Sequence, residues 1–67
     1  MIITNGYNLR ILRFKMNLTQ DQVADAIGVS KMTIWRYEND KVINPHLSII
    51  KLMASFYEVP LEMILEK

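Results

Sequence analysis

The chain has no cysteine among its 67 residues and a single histidine. The first absence rules out a disulfide frame and a thiolate zinc site, and the second leaves His46 without another imidazole with which to share a metal. Small folds commonly lean on such staples; without them, this one needs a well-packed core or a partner copy. Long apolar runs are missing too. The richest stretch, Leu47 to Phe56, is broken by Ser48, Lys51 and Ser55, far short of the roughly 20 apolar residues of a membrane span. Met1-Ile2-Ile3 has neither the charged start nor the long apolar middle of a signal peptide, so a cytoplasmic location is expected. Catalytic groupings are equally scarce. His46 follows Pro45 with no nucleophile or ligand cluster at a workable spacing, and reads as a first-turn surface residue. Asp21 and Asp25, at i and i+4, read as a solvated helix face, because nothing nearby would push their pKa values apart. The five methionines suit gap filling and adaptable surfaces rather than a cofactor site. No enzyme activity, cofactor or metal is expected.

What the chain does have is apolar content, 51% of its residues. A domain of this length hides only about 60% of its unfolded surface, so one efficient core over residues 1–67 is expected. Net charge is only +1, but its distribution is uneven. Arg10, Arg13, Lys15, Lys31, Arg36 and Lys41 outnumber Asp21, Asp25, Glu38 and Asp40 in the first 41 residues, whereas Lys51 and Lys67 are outnumbered by Glu58, Glu62 and Glu66. The positive excess lies in the first part. There is no internal repeat or low-complexity tract, and no room for a ligand-sensing domain, so no small-molecule ligand is expected.

The periodicity predicts an all-α chain. A first helix covers Tyr7 to Lys15, with Leu9, Leu12 and Met16 facing inward, and Asn17 ends it in a left-handed turn. A second runs from about Gln20 to Ile27 and a third from about Lys31 to Asn39. A loop leads to Pro45, which favours a helix start, and a fourth helix covers roughly His46 to Tyr57. Pro60 opens a short fifth helix with Leu61, Ile64 and Leu65 as its apolar side. Ile2 and Ile3 either pair as a short strand or pack on the last helix.

The segment from Leu18 to Lys41 is the most informative. Thr19 can cap the second helix, with Gln22 completing a capping box. Val23, Ala24 and Ile27 lay an apolar stripe along a helix that stops at Gly28. Ser30 caps again two residues later. Helices joined so tightly must cross steeply, which is the helix-turn-helix geometry, here about residues 19–39, that offers its second helix to a DNA groove.

The faces of the third helix divide accordingly. With Lys31 at zero and about 100° per residue, Lys31, Trp35, Asn39, Met32 and Arg36 fall between about 0° and 140°, while Ile34 and Tyr37 fall near 300° and 240° on the packed side. Two cations, an amide, a thioether and an indole suit a major groove. Arg and Lys donate to guanine O6 and N7, while Met and Trp touch a thymine methyl or a sugar.

The fourth helix is apolar over more than one core contact needs. With Leu47 at zero, Leu47, Ala54, Ile50, Tyr57 and Met53 span about 240° to 360°, and Ile49, Phe56 and Leu52 cluster separately near 140° to 200°. An apolar arc this wide, with Met63 or Leu65 beside it, is expected to form a two-fold homodimer interface through Ile49, Leu52, Phe56, Met63 and Leu65, the alternative being that the fifth helix and the Met1 to Ile3 arm cover it.

The run Gly6-Tyr7-Asn8-Leu9-Arg10-Ile11-Leu12-Arg13, then Leu18-Thr19-Gln20, Val23-Ala24, Ile27-Gly28-Val29-Ser30, Thr33-Ile34, Arg36-Tyr37-Glu38-Asn39, Asn44-Pro45, Leu47 and Val59-Pro60-Leu61 resembles the phage-repressor type of helix-turn-helix, the Cro and Xre family. The resemblance implies a compact five-helix, lambda-repressor-like domain, usually a homodimer on a palindromic operator. It also implies roles. Gln20 is similar to the family glutamine that holds a DNA phosphate and buttresses the reading helix. Lys31, Met32 and Arg36 occupy the base-reading positions, and Thr33 and Trp35 those that touch backbone or sugar. Asn39 and Lys41 stand where phosphate is commonly held. Arg13 and Glu38 look like the ion pair between the first and third helices. The chain departs from the pattern at three frequent glycines, replaced by Asn17, Asp40 and Glu58. Asp40 adds a negative charge near the expected phosphate. The resulting expectation is a sequence-specific transcriptional regulator, most simply a homodimeric repressor on double-stranded DNA. The alternatives are an antitoxin or restriction-modification controller of the same fold, or a protein-interaction module that has lost DNA binding.

Overall fold

Asn5 starts the first helix. In the computed structural model, which describes residues 4–65, its side chain accepts the Asn8 N–H at 3.1 Å, and α1 runs Gly6–Lys15. Sequence periodicity alone missed this cap and placed the start one residue late. The Met1–Ile3 arm, and with it the strand expected of Ile2 and Ile3, lies outside the described residues. α2 (Gln20–Ile27) begins on the capping box of Thr19 and Gln22 and ends at Gly28, whose φ of 77° is the left-handed conformation glycine adopts without a Cβ penalty. α3 (Lys31–Glu38) is capped by Ser30, and α4 (Leu47–Tyr57) ends on Glu58 in a left-handed turn. Asn17, Asp40 and Glu58, the three positions where the family pattern favours glycine, all have φ near +55°. The backbone there keeps the glycine conformation although the side chain has changed.

A cluster of Leu9, Val23, Ala24, Ile34, Tyr37, Ile50, Met53, Ala54, Tyr57 and Ile64 joins the helices. α2 and α3 pack most closely, with α1 across α3 and α4 closing the other side. Burying a side chain such as Ile34 or Ile50 stabilises the fold by roughly 1.5–3 kcal/mol relative to leaving it in water. No helix among the described residues is long and apolar enough to cross a membrane.

Among the described residues there are four α-helices, where the periodicity predicts five. There Pro60 is followed by a single 3-10 turn, Leu61–Met63. The carbonyls that a longer helix would use are taken by α1 and the residues before it. Met63 O accepts from Asn8 Nδ2 at 2.8 Å, Ile64 O accepts the Asn5 N–H at 2.9 Å, and Leu65 forms an antiparallel bridge with Thr4. Two inward assignments are also corrected. Met16 is exposed, because it is the C-cap residue beyond the last helical turn, and Arg13 is buried on the inner side of α1. Leu47 is exposed at the first position of α4, where the preceding loop is held on Tyr37 and the core contacts begin one turn later, at Ile50.

Candidate nucleic-acid interface

The third helix owes its position to a buried polar network. Arg13 donates through Nε to Glu38 Oε2 at 2.7 Å and through Nη2 to Oε1 at 2.9 Å, a bidentate pair in which the Glu38 side chain is almost fully enclosed. The remaining guanidinium nitrogen donates to Leu18 O at 2.9 Å, so one side chain ties α1, the turn before α2 and the end of α3 together. The Glu38 hydrogen bonds raise the Arg13 pKa above its ordinary value, against the opposing effect of burial. The pair compensates its own desolvation and adds little beyond that, but removing either partner strands a buried charge and costs about 3–5 kcal/mol.

Glu38 also reaches the first turn of α2. Its Oε1 accepts a hydrogen bond from Gln20 Nε2 at 3.2 Å. A primary amide nitrogen carries two hydrogens, so Gln20 is oriented by Glu38 and keeps a second N–H for another acceptor. The ion pair therefore aims a surface donor as well as holding a helix.

The outward face of α3 gathers the other residues that sequence reasoning selects. Lys31, Met32, Trp35 and Arg36 are all exposed there. Met32, Trp35, Lys31 and Gln20 line one shallow, largely apolar hollow. Lys31 Nζ lies 3.8 Å from Asp21 Oδ2 in a solvent-exposed contact, an interaction weak enough for the lysine to exchange it for another acceptor. Thr33 is half-buried and shares a 2.9 Å hydrogen bond with Ser30. Asn39 caps the end of α3, donating from Nδ2 to Trp35 O at 2.8 Å. Lys41 is exposed just beyond, its N–H bonded to Arg36 O at 2.9 Å.

Asp40 does not point where its place in the sequence suggested. Its carboxylate accepts the Gly6 N–H at 3.0 Å, at the positive end of α1. The negative charge that threatened the neighbouring phosphate position is thereby turned toward a helix N-terminus.

Geometry and family then meet. A family model described as helix-turn-helix matches residues 9–64. The chain belongs to the Xre-type helix-turn-helix family of DNA-binding transcriptional regulators. It is 40% identical over 53 residues, 79% of its length, to a protein of Vibrio cholerae described as the cryptic phage CTXphi transcriptional repressor RstR. The chain spans 47% of that relative, about half its length. In this Xre-type domain the turn between α2 and α3 is Gly28 to Ser30.

One exposed residue beside this face went unselected by sequence reasoning. Ile43 is 86% exposed, at the tip of the loop between α3 and α4. The loop is held at both ends, by Asp40 on Gly6 and by the His46 N–H on the Tyr37 hydroxyl at 3.0 Å. Val42 packs on the core, so Ile43 is turned out beside Arg36, Lys41 and Thr33, with which it lines a second groove. A signal existed in two consecutive β-branched residues between a turn and a proline, of which only one can face inward.

The residues expected to pair two copies are placed less uniformly than the helical pattern predicts. Leu52 and Met63 are exposed, at 46% and 43%. Ile49, Phe56 and Leu65 are half-buried and packed against the domain's own core, with the Phe56 ring edge-on to Tyr57 at 5.2 Å.

Proposed function

We propose that this protein is a sequence-specific transcriptional repressor that acts as a homodimer on an inverted-repeat operator in the cytoplasm. The observation that carries the reading is the α3 face. Lys31, Met32, Trp35 and Arg36 project together from a helix whose own position is fixed by the enclosed Arg13–Glu38 pair. In this reading Lys31, Met32 and Arg36 meet base edges, where Arg and Lys favour guanine and Met a thymine methyl. Gln20, Thr33, Trp35, Asn39 and Lys41 meet phosphate or sugar and set register. Ile43, which can offer only apolar contact, lies on the deoxyribose edge next to the phosphate held by Lys41. A short α3 reads few base pairs, so a second copy makes the address specific, with half-site centres about 10 base pairs, 34–36 Å, apart. The relative's description as a transcriptional repressor supports the direction of regulation.

Selection of bound sites from a random duplex pool tests the reading. An enriched inverted repeat is expected, and recovery of unenriched sequence overturns it. The dimer is tested separately by light scattering at micromolar concentration. Exposed Leu52 and Met63 support a contact there, and Leu52→Glu is expected to convert a two-chain mass to a one-chain mass. A one-chain mass for the unaltered protein rejects the dimer and leaves the DNA reading standing.

A further inference from the structure

The side of α1 turned away from the core carries more than a solvated helix needs. With Tyr7 at zero and about 100° per residue, Ile11 lies near 40° and Phe14 near 340°, so three large apolar side chains share an arc of about 60°. Arg10, near 300°, and Lys15, near 80°, stand on either side of that arc, and α1 contains no carboxylate. Tyr7 is 66% exposed and Phe14 57%, with Ile11 half-buried between them. At its Phe14 end the stripe borders a hollow that Gln20, Asp21 and Lys31 also line, whereas Leu52 and Met63 lie on other elements.

Phe14 is also pre-arranged. The Arg13 guanidinium lies 4.6 Å from its ring centroid, and Arg13 is itself held by Glu38 and Leu18. An exposed aromatic steadied by a buried ion pair loses little freedom when something settles on it, and aromatic residues beside arginine are what protein interfaces concentrate.

We propose that this face of α1 is a docking surface for an acidic, apolar segment of another protein. Charge decides among the occupants. A second copy placed by two-fold symmetry would bring Arg10 and Lys15 against the same cations with no carboxylate on α1 to meet them. A segment with leucine- or phenylalanine-type residues on one side and Asp or Glu at its margins meets both parts of the surface: apolar anchors against Tyr7, Ile11 and Phe14, carboxylates toward Arg10 and Lys15.

The test is a display selection of random peptides on the full chain, followed by affinity measurements with the enriched sequences. Enriched peptides combining acidic and large apolar residues are expected, binding Phe14→Ser and, independently, the Arg10→Glu, Lys15→Glu double variant at least tenfold more weakly. The charge-reversed protein keeps every apolar side chain, so it remains informative if Phe14→Ser folds poorly. No enrichment, neutral or basic consensus sequences, or equal binding to the charge-reversed protein overturns the proposal. So does a two-chain mass that Tyr7→Ser reduces to one chain, which assigns the stripe to a second copy. None of these readouts involves DNA, so loss of the DNA reading leaves the outcome intact.

Discussion

The Asp40 carboxylate accepts the Gly6 N–H at 3.0 Å across 34 residues of sequence, and so joins the start of α1 to the end of α3. Asp40 sits at φ 56° to make this contact, a conformation that costs a non-glycine residue of order 1 kcal/mol. The hydrogen bond to a helix N-terminus returns a similar amount. Asp40→Ala keeps the strain and loses the acceptor, and is expected to destabilise the protein by about 1–2 kcal/mol. Asp40→Gly loses both strain and acceptor and should fall between, while Asp40→Asn should lie close to the parent. Urea denaturation of the three variants checks the order; an alanine variant as stable as the parent removes the role given to the contact.

Asp40 also marks the limit of what was readable in the sequence. Local chemistry was legible: the Thr19–Gln22 box, the Gly28 stop and the Ser30 cap are interactions within a few residues, and the boundaries of α2 match the periodicity. Contacts between distant segments were not legible from local pattern, and the Arg13–Glu38 pair, 25 residues apart, was reached only through the family resemblance. The fifth helix was lost because Asn5 and Asn8 take the Ile64 and Met63 carbonyls, a competition invisible in a window around Pro60. Leu47 illustrates the same limit from the other side, since a helical wheel assigns a face and says nothing of where along the axis the core begins. At the candidate site, the exposed residues of α3 follow from its own period, whereas Ile43 depends on a loop held by partners from two other parts of the chain.

Gly6 is needed for space. A Cβ on it would stand 2.4 Å from Glu38 O and 2.8 Å from Tyr37 O, both backbone atoms at the end of α3 that cannot rotate away. Gly6→Ala should therefore separate α1 from α3 and break the geometry on which Arg13 and Glu38 depend. A loss above about 3 kcal/mol is expected, most of the stability of a domain this small. A thermal melt within a few degrees of the parent shows that the two helices tolerate separation.

Tyr57 makes the fold sensitive to alkali. Burial, helped by the Glu38 charge and opposed by Arg13, pushes its phenol up to about 12. In the unfolded chain the phenol ionises near 10, so above that pH the folded state holds a proton that the unfolded state has released. The stabilising difference is fully present below about pH 10 and is lost as pH rises toward 12. Chemical denaturation at pH 9 and pH 11.5 should show a larger drop for the parent than for Tyr57→Phe. Equal drops place the alkaline sensitivity elsewhere.

Lys41 and Ile43 stand two residues apart, and the proposed function gives them opposite signatures in salt. A lysine that neutralises one phosphate releases counterions, so Lys41→Ala should reduce the slope of log affinity against log salt by about 1. An isoleucine on a deoxyribose edge releases none. Truncation to alanine removes about 50–60 Å² of apolar contact, about 1–1.5 kcal/mol or close to tenfold in affinity. Ile43→Ala should thus shift the whole salt titration down in parallel, on selected and scrambled duplexes alike, because sugars carry no sequence. Fluorescence titrations at several salt concentrations separate the cases. A loss confined to selected duplexes moves Ile43 from the sugar edge to a base, and a titration that coincides with the parent's removes it from the interface.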